Sequence, residues 1–128
     1  MAHDPHQYAC EVTVITEYLQ DQSSAEAGQY VYAYTITIRN TGQVPVQLIS
    51  RHWVITDAMQ QVREVKGLGV VGEQPLLAPD AEYSYTSSVM FSTPSGEMYG
   101  TYQMVAVDGT WFEVDIPTFW LHQAAGLH

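Results

Sequence analysis

Cysteine is almost missing from this sequence: Cys10 is the only one among 128 residues. A single thiol forms no intramolecular disulfide, so packing alone must hold the core, as suits a reducing compartment. Basic residues are nearly as scarce. Arg39, Arg51, Arg63 and Lys66 stand against fourteen acidic residues, for a formal net charge of -10. Such a chain repels a phosphate backbone at long range and releases few counterions, which argues against nucleic acid as a ligand. No run approaches the ~20 apolar residues that span a bilayer, so no membrane insertion is expected. The opening "MAHDPHQYAC" has no apolar signal-peptide stretch, and a cytoplasmic location is the expectation. Helical periodicity beyond about one turn is absent as well.

What the sequence does have is alternation. "CEVTVITEYL" reads as a first strand, followed by "QDQSSAEAG" as a loop or one short helical turn. "QYVYAYTITIRN" puts Tyr30, Tyr32, Tyr34, Ile36 and Ile38 on one face and is the clearest strand. In "VQLISRHWVIT", Gln47, Ile49, Arg51, Trp53 and Ile55 share one parity, and Val46, Leu48, Ser50, His52 and Val54 the other. Both faces are partly apolar, as a central strand requires. "QQVREVK" and "EYSYTSSVMF" supply two more strands, "STPSGEMYG" reads as a loop, and "YQMVAVDGTWFEVDI" carries the Asp108-Gly109 hairpin signal. Pro117 makes the last segment, "PTFWL", an edge or returning piece. Seven to eight short strands predict an all-β antiparallel sandwich, with a barrel as the competing closure. The expected organisation is an N-terminal arm over 1–10, one sandwich domain over 11–122 and a tail over 123–128.

One motif looks like a cofactor fingerprint. In "VREVKGLGVVGEQP", Gly67, Gly69 and Gly72 spell G-x-G-x-x-G. A dinucleotide site needs a helix after the third glycine, aimed at the pyrophosphate. Pro75 and Pro79 leave no room for one. Two readings remain. The glycines serve backbone bends, or successive amide groups form an anion nest for phosphate, pyrophosphate or a nucleotide, helped by Arg63 and Lys66.

Catalytic and metal constellations are sparse. Ser50 and His52 share a strand face, but nothing in the pattern brings Asp57 to the imidazole as a triad requires. His52 is expected to make a structural hydrogen bond and Arg51 to be half-buried beside a carboxylate. His3, Asp4 and His6 lie in the arm, and the scattered carboxylates have no calcium-loop spacing, so weak divalent cation binding is the most they imply. No metal site or cofactor is expected. The nine tyrosines and three tryptophans point instead to contact surface. The expected interaction residues are Arg51, His52, Tyr83, Tyr85, Tyr99 and Trp120, facing an unidentified protein partner. Unpaired sheet edges are also compatible with a homodimer.

"RHWVITD", "VKGLGVVGEQP", "TPSGEMYGTYQM" and "VDIPTFWL", with "QYVYAYTITIRNTG" before them, closely resemble the ApaG proteins, from about Val12 to Leu121. That resemblance implies an immunoglobulin-like or fibronectin type III-like sandwich and a non-enzymatic, protein-interaction role. It also implies a link to cobalt resistance and magnesium efflux, and a likeness of Gly67, Gly69 and Gly72 to a pyrophosphate-binding loop. The sequence departs from the family at the Met59 to Gln61 turn, at Ala81 and at Ser88, where glycine is frequent in relatives.

Overall fold

Among the described residues there are eight strands: β1 Cys10–Tyr18, β2 Tyr30–Asn40, β3 Val46–Asp57, β4 Val62–Leu68, β5 Leu76–Leu77, β6 Glu82–Phe91, β7 Ser95–Ala106 and β8 Trp111–His122. The structure, a computed structural model, describes residues 7–123. One 3-10 turn, Gln20–Gln22, follows β1. All pairings are antiparallel and form two sheets, β1-β2-β6 and β4-β3-β7-β8, with the short β5 also bonded to β3. The fold is an immunoglobulin-like and fibronectin type III-like sandwich. No helix among the described residues is long and apolar enough to cross a membrane.

Inward positions of both sheets fill the space between them. Tyr32, Tyr34, Ile36 and Ile38 of β2 are buried together with Trp53, Met98, Tyr102, Met104, Ile116, Phe119 and Leu121 of the larger sheet. Tyr34, Trp53 and Phe119 form an aromatic triangle across the layers, with centroids 5.6 to 5.9 Å apart. Such edge and tilted contacts add to what their buried area contributes.

Three sequence expectations change. A single parity does not run through β3: the register slips between Leu48 and Ser50. Val46 and Leu48 are buried before this bulge, Trp53 and Ile55 after it, so one extra residue exchanges the two faces. "SGEMYG" is the start of β7 rather than loop. Its glycines permit close passage, since a Cβ on Gly96 would strike the Phe91 ring and one on Gly100 would strike the His52 carbonyl. Residues 7–9, assigned to the arm, are tied down: Gln43 N–H donates to the Gln7 carbonyl (2.9 Å) and Thr41 N–H to that of Ala9 (3.0 Å). Pro117 falls at a second slip, between β7 and β8, on the strand that ends its sheet.

Candidate functional site

β4 and the glycine segment run along β3 and dock on its bulge. Gly69 N–H donates to the Ile49 carbonyl (2.8 Å), which also accepts from the Gln74 side chain (2.9 Å). Leu48 N–H donates to the Pro75 carbonyl (3.0 Å). Val70 and Glu73 exchange both of their backbone hydrogen bonds, at 2.8 Å each, closing a two-residue hairpin with Val71 at φ 42° and Gly72 at φ 83°. Positive φ at both central positions is the type I′ geometry, which glycine accepts and a β-branched residue resists. The amides of Gly69, Val70 and Glu73 are therefore spent inside the chain.

Arg51 occupies the space that the first glycine leaves. The bulge turns its side chain inward, and its guanidinium lies over Gly67, where a Cβ would sit 2.8 Å from Nη1. That nitrogen donates to the carbonyls of Leu68 (3.1 Å) and Gly69 (2.8 Å). The expected carboxylate partner of Arg51 is thus replaced by backbone oxygens. Behind it, the phenols of Tyr85 and Tyr102 bond each other at 2.5 Å. Burial pushes both phenols well above their ordinary range, while the Arg51 charge acts in the opposite direction.

The cations grouped by the sequence part company. Arg63 and Lys66 are three residues apart on one strand, so they project from opposite faces of β4. Arg63 points toward the smaller sheet and donates to the Met90 carbonyl (2.7 Å). Lys66 lies opposite His52 on the outer face. What the fold does bring together is Arg51 and Arg63. Both line a cleft of about 300 Å³ at the seam between β4 and β6, with Trp53, Ser87, Ser88 and Met90. None of its lining side chains is acidic. Ser87, Ser88 and Met90 were not legible as site residues, because only the topology sets β6 beside β4.

The aromatic candidates divide by burial. Tyr85 is only 7% exposed and Tyr83 packs against the core, so neither is a free surface anchor: their shared parity faces inward. Tyr99 and Trp120 do reach solvent, and Trp120 is 63% exposed. Trp120 pairs with Glu97 across β7–β8 and borders a recess of about 560 Å³ lined also by Thr56, Asp57, Ser95 and His122. His52 sits on the same outer face of the larger sheet, with Nε2 2.6 Å from Glu64 Oε1.

No triad assembles. Ser50 Oγ donates to Gln103 Oε1 (3.0 Å), and Asp57 Oδ1 accepts from the amides of Met59 and Gln61 (2.8 and 2.9 Å). Ser50, His52 and Asp57 each serve a different local contact. Among the described residues no three His, Cys, Asp or Glu side chains converge on one point. His3, Asp4 and His6 lie outside the described residues. Burial raises the Cys10 thiol to about 11, which keeps it protonated near neutral pH.

Known proteins are similar to this chain over nearly its whole length. The ApaG domain family pattern matches residues 20–106. "Protein ApaG" of Dechloromonas aromatica is 52% identical over 98% of both chains. Its counterpart in Thiobacillus denitrificans is 56% identical over 94% of this chain and 95% of its own. A crystal structure of an ApaA protein from Bordetella pertussis superposes with a TM-score of 0.90 at 50% identity, covering 92% of this chain and 96% of that one.

Proposed function

We propose that this chain, which belongs to the ApaG family, docks a partner protein through the outer face of its larger sheet around Trp120. Membership of the ApaG family supports a non-catalytic β-sandwich module of the protein-interaction type. The observation that carries the placement is Trp120, 63% exposed beside the recess of about 560 Å³. A large rigid aromatic left in water next to a concavity is the residue type that anchors protein interfaces. Asp57 and Glu97 on the rim select a partner that offers an apolar side chain flanked by basic groups. Such a partner would carry the link to cobalt resistance and magnesium efflux that the family resemblance implies, with a cytoplasmic setting as part of the same proposal.

Cross-linking in the native cell tests this. Proteins joined to the wild type and to an Ile15→Ala control should be missing from Trp120→Ala. Titrating one of them, purified, against the wild type should shift its tryptophan fluorescence. An unchanged set of cross-linked proteins with Trp120→Ala would discard the surface.

A second reading rests on a different observation, the cleft with two arginines and no acid. Pyrophosphate or a nucleotide phosphate would bind there through Arg51 and Arg63 rather than in the glycine turn. Titration with pyrophosphate should move the amides of Val65, Ser87 and Ser88. Arg63→Ala should abolish those shifts and Lys66→Ala should leave them. Dependence on Lys66 with none on Arg63 would refute this placement.

A further inference from the structure

Among the described residues β4 ends the larger sheet, with no strand beyond it. Its hydrogen-bond ladder shows which backbone groups point away from β3. Gly69 N–H donates to Ile49 at one end, and Asp57 N–H donates to the Gln61 carbonyl (3.0 Å) at the other. With the continuous register between them, Arg63, Val65 and Gly67 turn their N–H and C=O groups to β3. Val62, Glu64, Lys66 and Leu68 turn theirs to the open edge. The same four residues place their side chains together on the outer face.

We propose that the β4 edge pairs with β4 of a second copy of this chain, antiparallel and centred on Val65. This register sets Val62 against Leu68, Glu64 against Lys66, Lys66 against Glu64 and Leu68 against Val62. Every residue with edge-facing backbone groups meets another such residue, so the ladder closes with paired hydrogen bonds. Side chains agree with the backbone: two Glu-Lys pairs sit between two apolar pairs. Val62 and Leu68 are now 61% and 75% exposed. A shift by one residue pairs edge-facing groups with inward-facing ones. A shift of the centre to Glu64 or to Lys66 puts like charges in contact. The charge order of "VREVKGL" therefore selects one register among those the backbone allows.

The surroundings support the same occupant. The chain carries a net charge of -10, and two copies repel over most approaches, yet three of its four basic residues, Arg51, Arg63 and Lys66, lie on β3 and β4. The least acidic edge is the one that meets. Glu64 is already held by His52 through Oε1, which leaves Oε2 for the second copy's Lys66. The Leu68 carbonyl keeps a lone pair beside its bond from Arg51. Arg63 is drawn away to Met90 and does not crowd the Gly67 position it would oppose. The interface is isologous and closes at two copies.

A pairing of two seven-residue strands buries less than a standard interface of roughly 1,200–2,000 Å², so dimerisation is expected at roughly tens to hundreds of micromolar. Sedimentation equilibrium of the full chain up to about 1 mM covers that range. The wild type should dimerise. Glu64→Lys and Lys66→Glu should each weaken the homodimer at least about ten-fold, because each turns both Glu-Lys pairs into like-charge contacts. Mixing those two variants should restore a dimer of one chain of each kind, since every cross-strand pair is then complementary. Lys66→Pro removes an edge donor without touching the β3 ladder and should leave a monomer with near-native melting. A wild type that stays monomeric throughout would overturn the proposal, the charges then merely guarding the edge. So would a dimer indifferent to either reversal, or a mixture that fails to associate. A monomer that instead binds an added extended peptide at β4 would assign the edge to another protein.

Discussion

The two ends of β4 reverse the chain by different means. At the Asp57 end there is no glycine. Asp57 Oδ1 gathers the amides of Met59 and Gln61, Gln60 N–H donates to the Asp57 carbonyl, and Gln60 adopts φ 65°. At the other end Gly69 and Gly72 supply positive φ, and the chain presses against the β3 bulge. The contrast separates two reasons for glycine. An exposed turn asks only for a left-handed residue, which a side-chain cap can help glutamine to tolerate. A docked turn asks for the missing Cβ as well, because other backbone occupies its place. A motif defined by glycine spacing alone mixes these cases.

The comparison predicts unequal costs for replacing the glycines. Gly69→Ala should be worst, because it combines positive φ with a clash against the Glu73 carbonyl, which is backbone and cannot swing aside. A loss of about 3 kcal/mol is expected in urea unfolding. A loss no greater than that for Gly72→Ala would break the distinction. Gly67→Ala should come next, at about 2 kcal/mol, since its Cβ meets only the flexible Arg51 guanidinium but displaces it from two carbonyls. A double-mutant cycle sharpens the point. In an Arg51→Ala background the Gly67→Ala substitution should become nearly neutral, and full additivity would show that Arg51 is not the reason for this glycine.

How much of this could be read beforehand differs from residue to residue. Alternation in β2 was legible because its pattern is long and its buried face, from Tyr32 to Ile38, is apolar or aromatic at every position. Parity showed that Tyr83 and Tyr85 share a face, but not that this face looks inward, a choice made by the opposing sheet. The β3 bulge was invisible because it depends on what docks there: Gly69, Gln74 and Pro75 supply the partners for Leu48 and Ile49. Once that one residue is inserted, Arg51 faces the interior and its carboxylate partner gives way to the Leu68 and Gly69 carbonyls. The start of β7 was hidden by Gly96 and Gly100, which mark close neighbours and not a loop. Trp120 was legible as a surface candidate. The seam joining Arg51 to Arg63 was not, since β4 and β6 are adjacent only through the topology of two sheets.

The smaller effects test the exposed half of the comparison. Gly72 has positive φ and nothing within 4 Å of an added Cβ, so Gly72→Ala should cost only the conformational term, about 1 kcal/mol. Gln60→Gly should have the opposite sign. Glycine relieves the left-handed conformation but gives the unfolded chain more freedom, and the balance leaves a gain of about 0.5 kcal/mol. The Asp57 cap sets the limit on that gain, because it already fixes the turn through two amides. Asp57→Ala should therefore enlarge the benefit of Gln60→Gly when the two are measured together. If Gln60→Gly instead destabilises the wild type, the glutamine side chain contributes to the turn in its own right, and the absence of glycine there is not simply a tolerated strain.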